Sequence, residues 1–381
     1  MSADLGVRSV VRHRPTVAIV DLAAVRHNAS VLRPESAELI AIVKADAYGH
    51  GAVPVARAAT RAGAARLGVA LVEEGVELRT AGVDVPILTL TEFPPGAEGE
   101  ALRAGLTPTL YSSEALARLR AAAADIGRPA GAQVKVDTGM HRVGVPWERA
   151  TEFVAQVLRA GVALEGVWTH LANAEDPADP FTGVQLERLR GVLDDLRAKG
   201  IRPGLVHAAN SAGRLARPDA WFDAVRVGVA LYGVSPGAGV DDAARGLGLR
   251  PALALRSSVS FVKRLAAGEA VSYGLTYRLD RDATVATVPV GYADGYPRAL
   301  SNRGEALIGG RRRRVIGSVT MDQLLVDCGD DAAGVGDEVV LLGRQGGEEI
   351  TAAELAERAG TIPYEIVCRI GVRVPREYVG A

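Results

Sequence analysis

The sequence predicts an α/β fold: a (β/α)8 TIM-type barrel over residues 1–245, followed by a mostly-β C-terminal domain over residues 246–381. Three observations predict it. From residue 15 to about 230, short β-branched or apolar runs alternate with Ala/Leu/Arg/Glu stretches of helical spacing, which calls for a parallel sheet covered by helices. Each strand candidate is a continuous apolar run, as expected when both of its faces are buried. Beyond residue 250 the pattern changes to short β-type runs split by Gly, Pro and Asp, the text of a second, turn-rich domain.

The strand candidates of the first part are residues 39–43, 67–70, 87–90, 107–111, 132–136, 164–169, 205–209 and 224–227. Helical text lies between them at 53–62, 113–123, 148–159 and 181–199. Eight strand–helix units in about 250 residues suit a closed barrel. An open doubly wound sheet would satisfy the same alternation. The Gly/Asp-rich stretch 237–248 reads as the boundary. After it come β-type runs at 253–262, 283–290, 306–308, 315–316, 324–326 and 339–342, and helical text returns only at 352–358. The basic run 311–314 follows Gly309-Gly310 and reads as the solvated end of a hairpin.

Composition excludes several classes. The 381 residues carry 44 Lys plus Arg against 45 Asp plus Glu, so there is no basic excess for a general nucleic-acid binder. Two cysteines, Cys328 and Cys368, make no disulfide framework and no CxxC spacing suggests a metal. The N-terminal text has no apolar core of a signal peptide. No run approaches the ~18 apolar residues of a membrane span. The chain reads as cytoplasmic, with no metal, no membrane and no nucleic acid among its expected partners.

Only four of the cations are lysines: Lys44, Lys135, Lys199 and Lys263. Arginine forms forks to carboxylate and phosphate but not imines, so amine chemistry must use one of these four. Lys44 directly follows the first strand candidate, where a barrel carries its active site. Rooted in an apolar strand, its amine would be partly desolvated, and burial frees it for imine chemistry. An isolated lysine there is more often a salt-bridged strand end. Here the following Tyr48, Gly49 and Gly51 add a phenol and positions where backbone turns tightly or approaches a ligand. The last two strand candidates end in His207-Ala208-Ala209-Asn210-Ser211 and Val225-Arg226-Val227-Gly228-Val229, and the loops after these strands are the usual phosphate site of the fold. Ser211 and Gly228 are each also plain as an N-cap and a turn. With Lys44 on the same face they describe a site for an aldehyde cofactor bearing a phosphate, pyridoxal 5'-phosphate.

Val43-Lys44-Ala45-Asp46-Ala47-Tyr48-Gly49-His50-Gly51 resembles the cofactor-lysine signature of the alanine racemases. The resemblance runs from Val17-Ala18-Ile19-Val20-Asp21 to Tyr364-Glu365-Ile366 and includes Lys135-Val136-Asp137-Thr138-Gly139-Met140, Asn210-Ser211-Ala212, Val271-Ser272-Tyr273-Gly274, Gly291-Tyr292-Ala293-Asp294-Gly295 and Met321-Asp322-Gln323. It implies interconversion of L- and D-alanine by two bases, for peptidoglycan, in a homodimer with shared active sites. Lys44 is then the cofactor lysine and the base for the D-enantiomer. Tyr273, supplied by the partner subunit, is the base for the L-enantiomer. The resemblance further implies Arg226 at the pyridine nitrogen, with Tyr48, Ser211, Gly228, Val229 and Tyr364 at the phosphate. His170 lies near the cofactor, Arg142 at the substrate carboxylate, Met321 and Asp322 near the substrate, and Lys135 orients Arg142.

Two opposed bases suit the chemistry, because a proton must leave one face of Cα and return to the other. Free Tyr and Lys titrate at about 10 and 10.4, so both need help near neutrality; for Tyr273, Arg142 or His170 could supply a cation. Arginine at the pyridine nitrogen keeps its own proton and so weakens the electron sink. The family often has glycine where this chain has His141, and some members have cysteine in place of Thr320. A serine or broad-specificity racemase fits the same motifs. A non-catalytic, cofactor-handling barrel would lack residues 250–381 and Tyr273.

Overall fold

The computed structural model describes residues 13–381, which divide into two compact units. The first comprises Val20–Ala252, Pro363–Cys368 and Tyr378–Ala381. It is built on β1 (Glu38–Ile42), β2 (Arg66–Val69), β3 (Ile87–Thr89), β4 (Leu106–Thr107 and Thr109–Leu110), β5 (Gly131–Asp137), β6 (Ala163–Trp168), β7 (Val206–His207) and β8 (Ala224–Val227). Every neighbouring pair is parallel. β8 returns to β1 with Val225 opposite Leu39 and Arg226 opposite Ile40.

The expected run at 107–111 is split at Pro108, which has no N–H to give a ladder. The half before it pairs with β3 and the half after it with β5, so β4 closes the ring. Leu39, Ile40 and Ala41 are consecutive and all inaccessible, which is why the strand text shows no alternation.

Helices follow the strands and pack onto them. Ser113–Asp125 is typical. The Ser112 hydroxyl accepts from the Ala115 amide at 3.2 Å, a cap that satisfies one orphan donor of the first turn. Leu116, Leu119 and Ala123 then fall on one face at helical spacing and are buried. Each buried leucine of this kind is worth about 1.5–3 kcal/mol.

The second unit comprises residues 13–19, Leu253–Ile362 and Arg369–Glu377. Its antiparallel sheet runs in the order Phe261–Leu265, Ala283–Val288, Leu324–Gly329, Arg311–Ile316, Glu305–Ile308, Glu338–Gln345 and Leu253–Ser258. The expected single run at 253–262 is two strands, because the chain changes partner at Val259-Ser260. Val259 donates to Asp337 O and Ser260 to Thr287 O. Gly309 and Gly310 lie at φ +62° and +72°, with Ile308 opposite Arg311, a two-residue turn of the kind that needs two left-handed residues. The basic run after it is less solvated than expected. Arg312 is ion-paired to Glu305 at 2.7 Å and Glu348 at 2.9 Å, and it also meets Glu354; Arg313 pairs with Asp331. Among the described residues no helix is long and apolar enough to cross a membrane.

Candidate active site

Lys44 stands just past the C-terminal end of β1. Burial, then the charge of Arg142, pulls its amine below the usual lysine range, and Glu74 and Cys368 push partly back. The backbone after Lys44 is unusual. Ala45, Asp46, Ala47 and Tyr48 all lie at φ +52° to +55°, one turn of left-handed helix built from residues with side chains. Each such residue costs on the order of 1–2 kcal/mol, so the turn persists only where its surroundings hold it. Ala47 donates to Val43 O at 2.9 Å and Gly51 to Asp46 O at 2.9 Å. The Asp46 carboxylate accepts from Ala52 N at 2.7 Å, and a ring nitrogen of His50 meets Tyr48 O at 2.9 Å.

The turn delivers the Tyr48 ring to a small cup. Tyr48 lies 5.1 Å from Tyr232 and 6.2 Å from Tyr364, ring centre to ring centre. Tyr364 sits on the short helix Pro363–Cys368, and burial pushes its phenol up to about 12. Burial raises Tyr48 well above the usual tyrosine value, so both phenols stay neutral donors. Ser211 Oγ accepts from Gly228 N at 3.0 Å and from Ala230 N at 3.4 Å, joining the ends of β7 and β8. A Cβ at Gly228 would lie 2.5 Å from the Tyr48 hydroxyl, so that wall of the cup requires glycine. Val229 follows, fully buried.

Arg226 occupies the barrel interior and is 2% exposed. It donates to His207 Nδ1 at 2.7 Å, Thr169 O at 2.8 Å, Ala208 O at 2.9 Å and His170 Nδ1 at 3.1 Å; its Nε takes no partner among the described residues. Burial pushes Arg226 down to about 9, which leaves it cationic at neutral pH. Since Arg226 can only donate, His207 accepts through Nδ1 and gives its Nε2 proton to Gln133 Oε1 at 2.7 Å. Burial and the Arg226 charge hold both His207 and His170 well below the usual histidine value. His170 is therefore neutral, and the cationic help for Tyr273 that the sequence suggested is not available from it.

Lys135, on β5, is 4% exposed and lies 4.5 Å from the Trp168 ring centre; Arg226 lies 4.6 Å from the same ring. Burial, with Arg226 and Arg142 close by, pushes Lys135 down to about 7, so much of it is a neutral amine near neutrality. Asp137 Oδ1 accepts from Gly139 N at 2.9 Å and His141 N at 3.1 Å, shaping the loop that carries the exposed Arg142. His141 sits at φ +53°, the left-handed region that suits glycine.

In the other unit, Tyr273 is 77% exposed. Ser272 Oγ donates to Ser318 O at 2.7 Å and Ser318 Oγ donates to Tyr273 O at 2.9 Å, a reciprocal clamp on its backbone. Met321 O accepts from Ala293 N at 3.1 Å. Asp322 pairs with Arg373 at 2.7 Å, and Arg373 also reaches the buried Asp294 at 3.7 Å.

The barrel unit thus gathers Lys44, Tyr48, Lys135, Arg142, His170, Ser211, Arg226, Gly228, Val229 and Tyr364, while Tyr273, Met321 and Asp322 belong to the second unit. Sequence reasoning missed Gln133, His207 and the Ser272–Ser318 clamp. The signal for the first two was a polar residue inside a strand buried on both faces.

Two family models match the chain: the N-terminal domain of alanine racemase over residues 20–236 and its C-terminal domain over residues 252–378. The chain belongs to the alanine racemase family. It is 51% identical to an alanine racemase of Symbiobacterium thermophilum over 96% of this chain and 98% of that protein. To an alanine racemase of Thermobifida fusca it is 44% identical over 95% and 97%. Among solved structures it is similar to the alanine racemase of D-cycloserine-producing Streptomyces lavendulae, with a TM-score of 0.92 at 43% identity, covering 97% of this chain and 98% of that one. It is also similar to the Bacillus anthracis alanine racemase with bound L-Ala-P, with a TM-score of 0.89 at 37% identity, covering 97% and 96%. A member of this family is an amino-acid racemase.

Proposed function

We propose that the chain interconverts L- and D-alanine with pyridoxal 5'-phosphate, using Lys44 and Tyr273 as two bases. The observation that carries this reading is a desolvated lysine amine at the head of a left-handed turn whose tyrosine lines a cup made by Ser211 and Gly228. The residues fit the cofactor. Lys44 would hold its aldehyde carbon. Ser211, Gly228, Val229, Tyr48 and Tyr364 would hold its phosphate with neutral donors. Arg226, with its Nε unpartnered among the described residues, would donate to the pyridine nitrogen, beside His170. When bound, the group supplies a π-system that spreads the negative charge left at Cα.

The remaining work falls to the chain. Lys44, its pKa lowered, takes or returns the proton on one face of Cα; Tyr273 does so on the other. Arg142 holds the substrate carboxylate and Lys135 orients it, with Met321 and Asp322 beside the substrate. Arg226 cannot surrender its proton to the ring, which limits side reactions that need a strong electron sink. Most of the cofactor site thus falls to residues 1–245, with Tyr364 added from the later sequence, and the second base falls to 246–381. Tyr273 lies exposed on its own unit, which supports a homodimer in which Tyr273 of the partner subunit completes each site. The exposed Leu275, Ile362 and Val372 support the same reading. We place the reaction in the cytoplasm, supplying D-alanine for peptidoglycan. A racemisation assay across alanine, serine and larger amino acids tests the proposal. Alanine should be turned over fastest; no turnover of alanine by cofactor-loaded protein would refute it.

A further inference from the structure

We propose that Glu74 is a positioning residue that fixes the Lys44 turn by clamping it to the start of the neighbouring helix. One carboxylate serves two elements. Oε2 accepts from Ala70 N at 2.8 Å and Leu71 N at 3.0 Å, reaching back from the third position of helix Val72–Thr80 to cap its own N-terminus. Oε1 accepts from Ala45 N at 2.7 Å, the amide that follows Lys44. Ala45 is also the first left-handed residue of the turn.

A left-handed run of four residues with side chains relaxes unless its entry is held. Bonds further along the turn, from Ala47 N to Val43 O, from Gly51 N to Asp46 O and from Ala52 N to the Asp46 carboxylate, are local. Glu74 supplies a bond that reaches across to another βα unit, and it does so at the residue beside the reactive amine. A glutamine in its place has one acceptor oxygen and an NH2 group, so it can serve the helix or the turn but not both. Its NH2 group would also face an N–H. Loss of the charge has a second consequence. The Glu74 charge raises the Lys44 pKa against burial and Arg142, so removing it moves Lys44 further down.

The inference rests on the reading of Lys44 as the cofactor lysine, and the test separates the two. Three holoenzymes are compared: wild type, Glu74→Gln, and the double variant Glu74→Gln/Leu71→Asp. Leu71 is 56% exposed and extended at φ −112°, ψ 152°, so an aspartate there can recap the helix without replacing the bond to Ala45. In both variants, amide hydrogen exchange in peptides covering 44–51 should speed up at least ~10-fold while peptides covering 131–137 stay unchanged. kcat should fall about 10-fold with KM within about 2-fold, and the acid limb of the kcat–pH profile should move to lower pH. Recovery of wild-type exchange and rate by the double variant would reduce Glu74 to a helix cap and overturn the proposal. So would unchanged exchange at 44–51 in Glu74→Gln. Borohydride reduction followed by peptide mapping reports separately on the cofactor lysine: a label elsewhere than Lys44 refutes that reading, whatever the exchange data show.

Discussion

Replacing His207 by glutamine removes a titratable group from the barrel interior while offering something to both of its neighbours, a carbonyl for Arg226 and an amide N–H for Gln133. His207 is fully buried, and burial, then the Arg226 charge, holds it well below its ordinary value of 6.5. The folded chain therefore refuses a proton that the unfolded chain accepts below about pH 6.5. Stability from the neutral imidazole is present above that pH and is lost as pH falls. The slope is about 1.4 kcal/mol per pH unit for one proton, which accumulates to about 2 kcal/mol by roughly pH 5. Lys135, at about 7 when folded, takes up protons over the upper part of this window, and it does so in both proteins, so its contribution cancels in the comparison. His170 shifts in the same direction as His207 and adds to the wild-type loss. Calorimetry of the barrel transition at pH 7 and pH 5 measures the effect. The Glu/Asp background being common to both proteins, His207→Gln should lose about 2 kcal/mol less than wild type between these pH values. An equal loss in the two proteins would refute the neutral, hydrogen-bonded His207.

Three other outcomes are expected. Lys44→Ala should lack the visible absorption band of lysine-bound pyridoxal phosphate, at about 420 nm; a retained band in a spectrophotometric titration would sink the assignment. Gly228→Ala puts a Cβ 2.5 Å from the Tyr48 hydroxyl, an overpacking worth about 1–3 kcal/mol, so the cofactor Kd should rise about 5- to 150-fold by fluorescence titration. On the proposed reading, in which Tyr273 of the partner subunit completes the site, activity should fall on dilution in step with dimer dissociation measured by sedimentation; full activity in a monomer would contradict that reading.

The barrel was legible because strands buried on both faces write themselves as apolar runs. The turn at Ala45–Tyr48 was not, since alanine and aspartate carry no mark of left-handed backbone and only Gly49 and Gly51 hinted at it. Lys44 was singled out among four lysines by its place after a strand and by its neighbours Tyr48, Gly49 and Gly51. The neutral state of His170 could not be read, because it depends on burial first, and then on Arg226, Lys135 and Arg142 converging from other strands and loops. The dual use of Glu74 was hidden for the same reason: its bond to Ala45 spans 29 residues. The solvated reading of Arg312 failed because Glu348 and Glu354 fold back over it.

Proton exchange in Tyr273→Phe tests the two-base account most directly. With each enantiomer of alanine in deuterated water, the variant should still exchange the α-proton of D-alanine through Lys44, at a rate within about 10-fold of wild type, while exchange from L-alanine falls by at least about 100-fold. Equal exchange rates from the two enantiomers would contradict the assignment of Tyr273 to one face and Lys44 to the other.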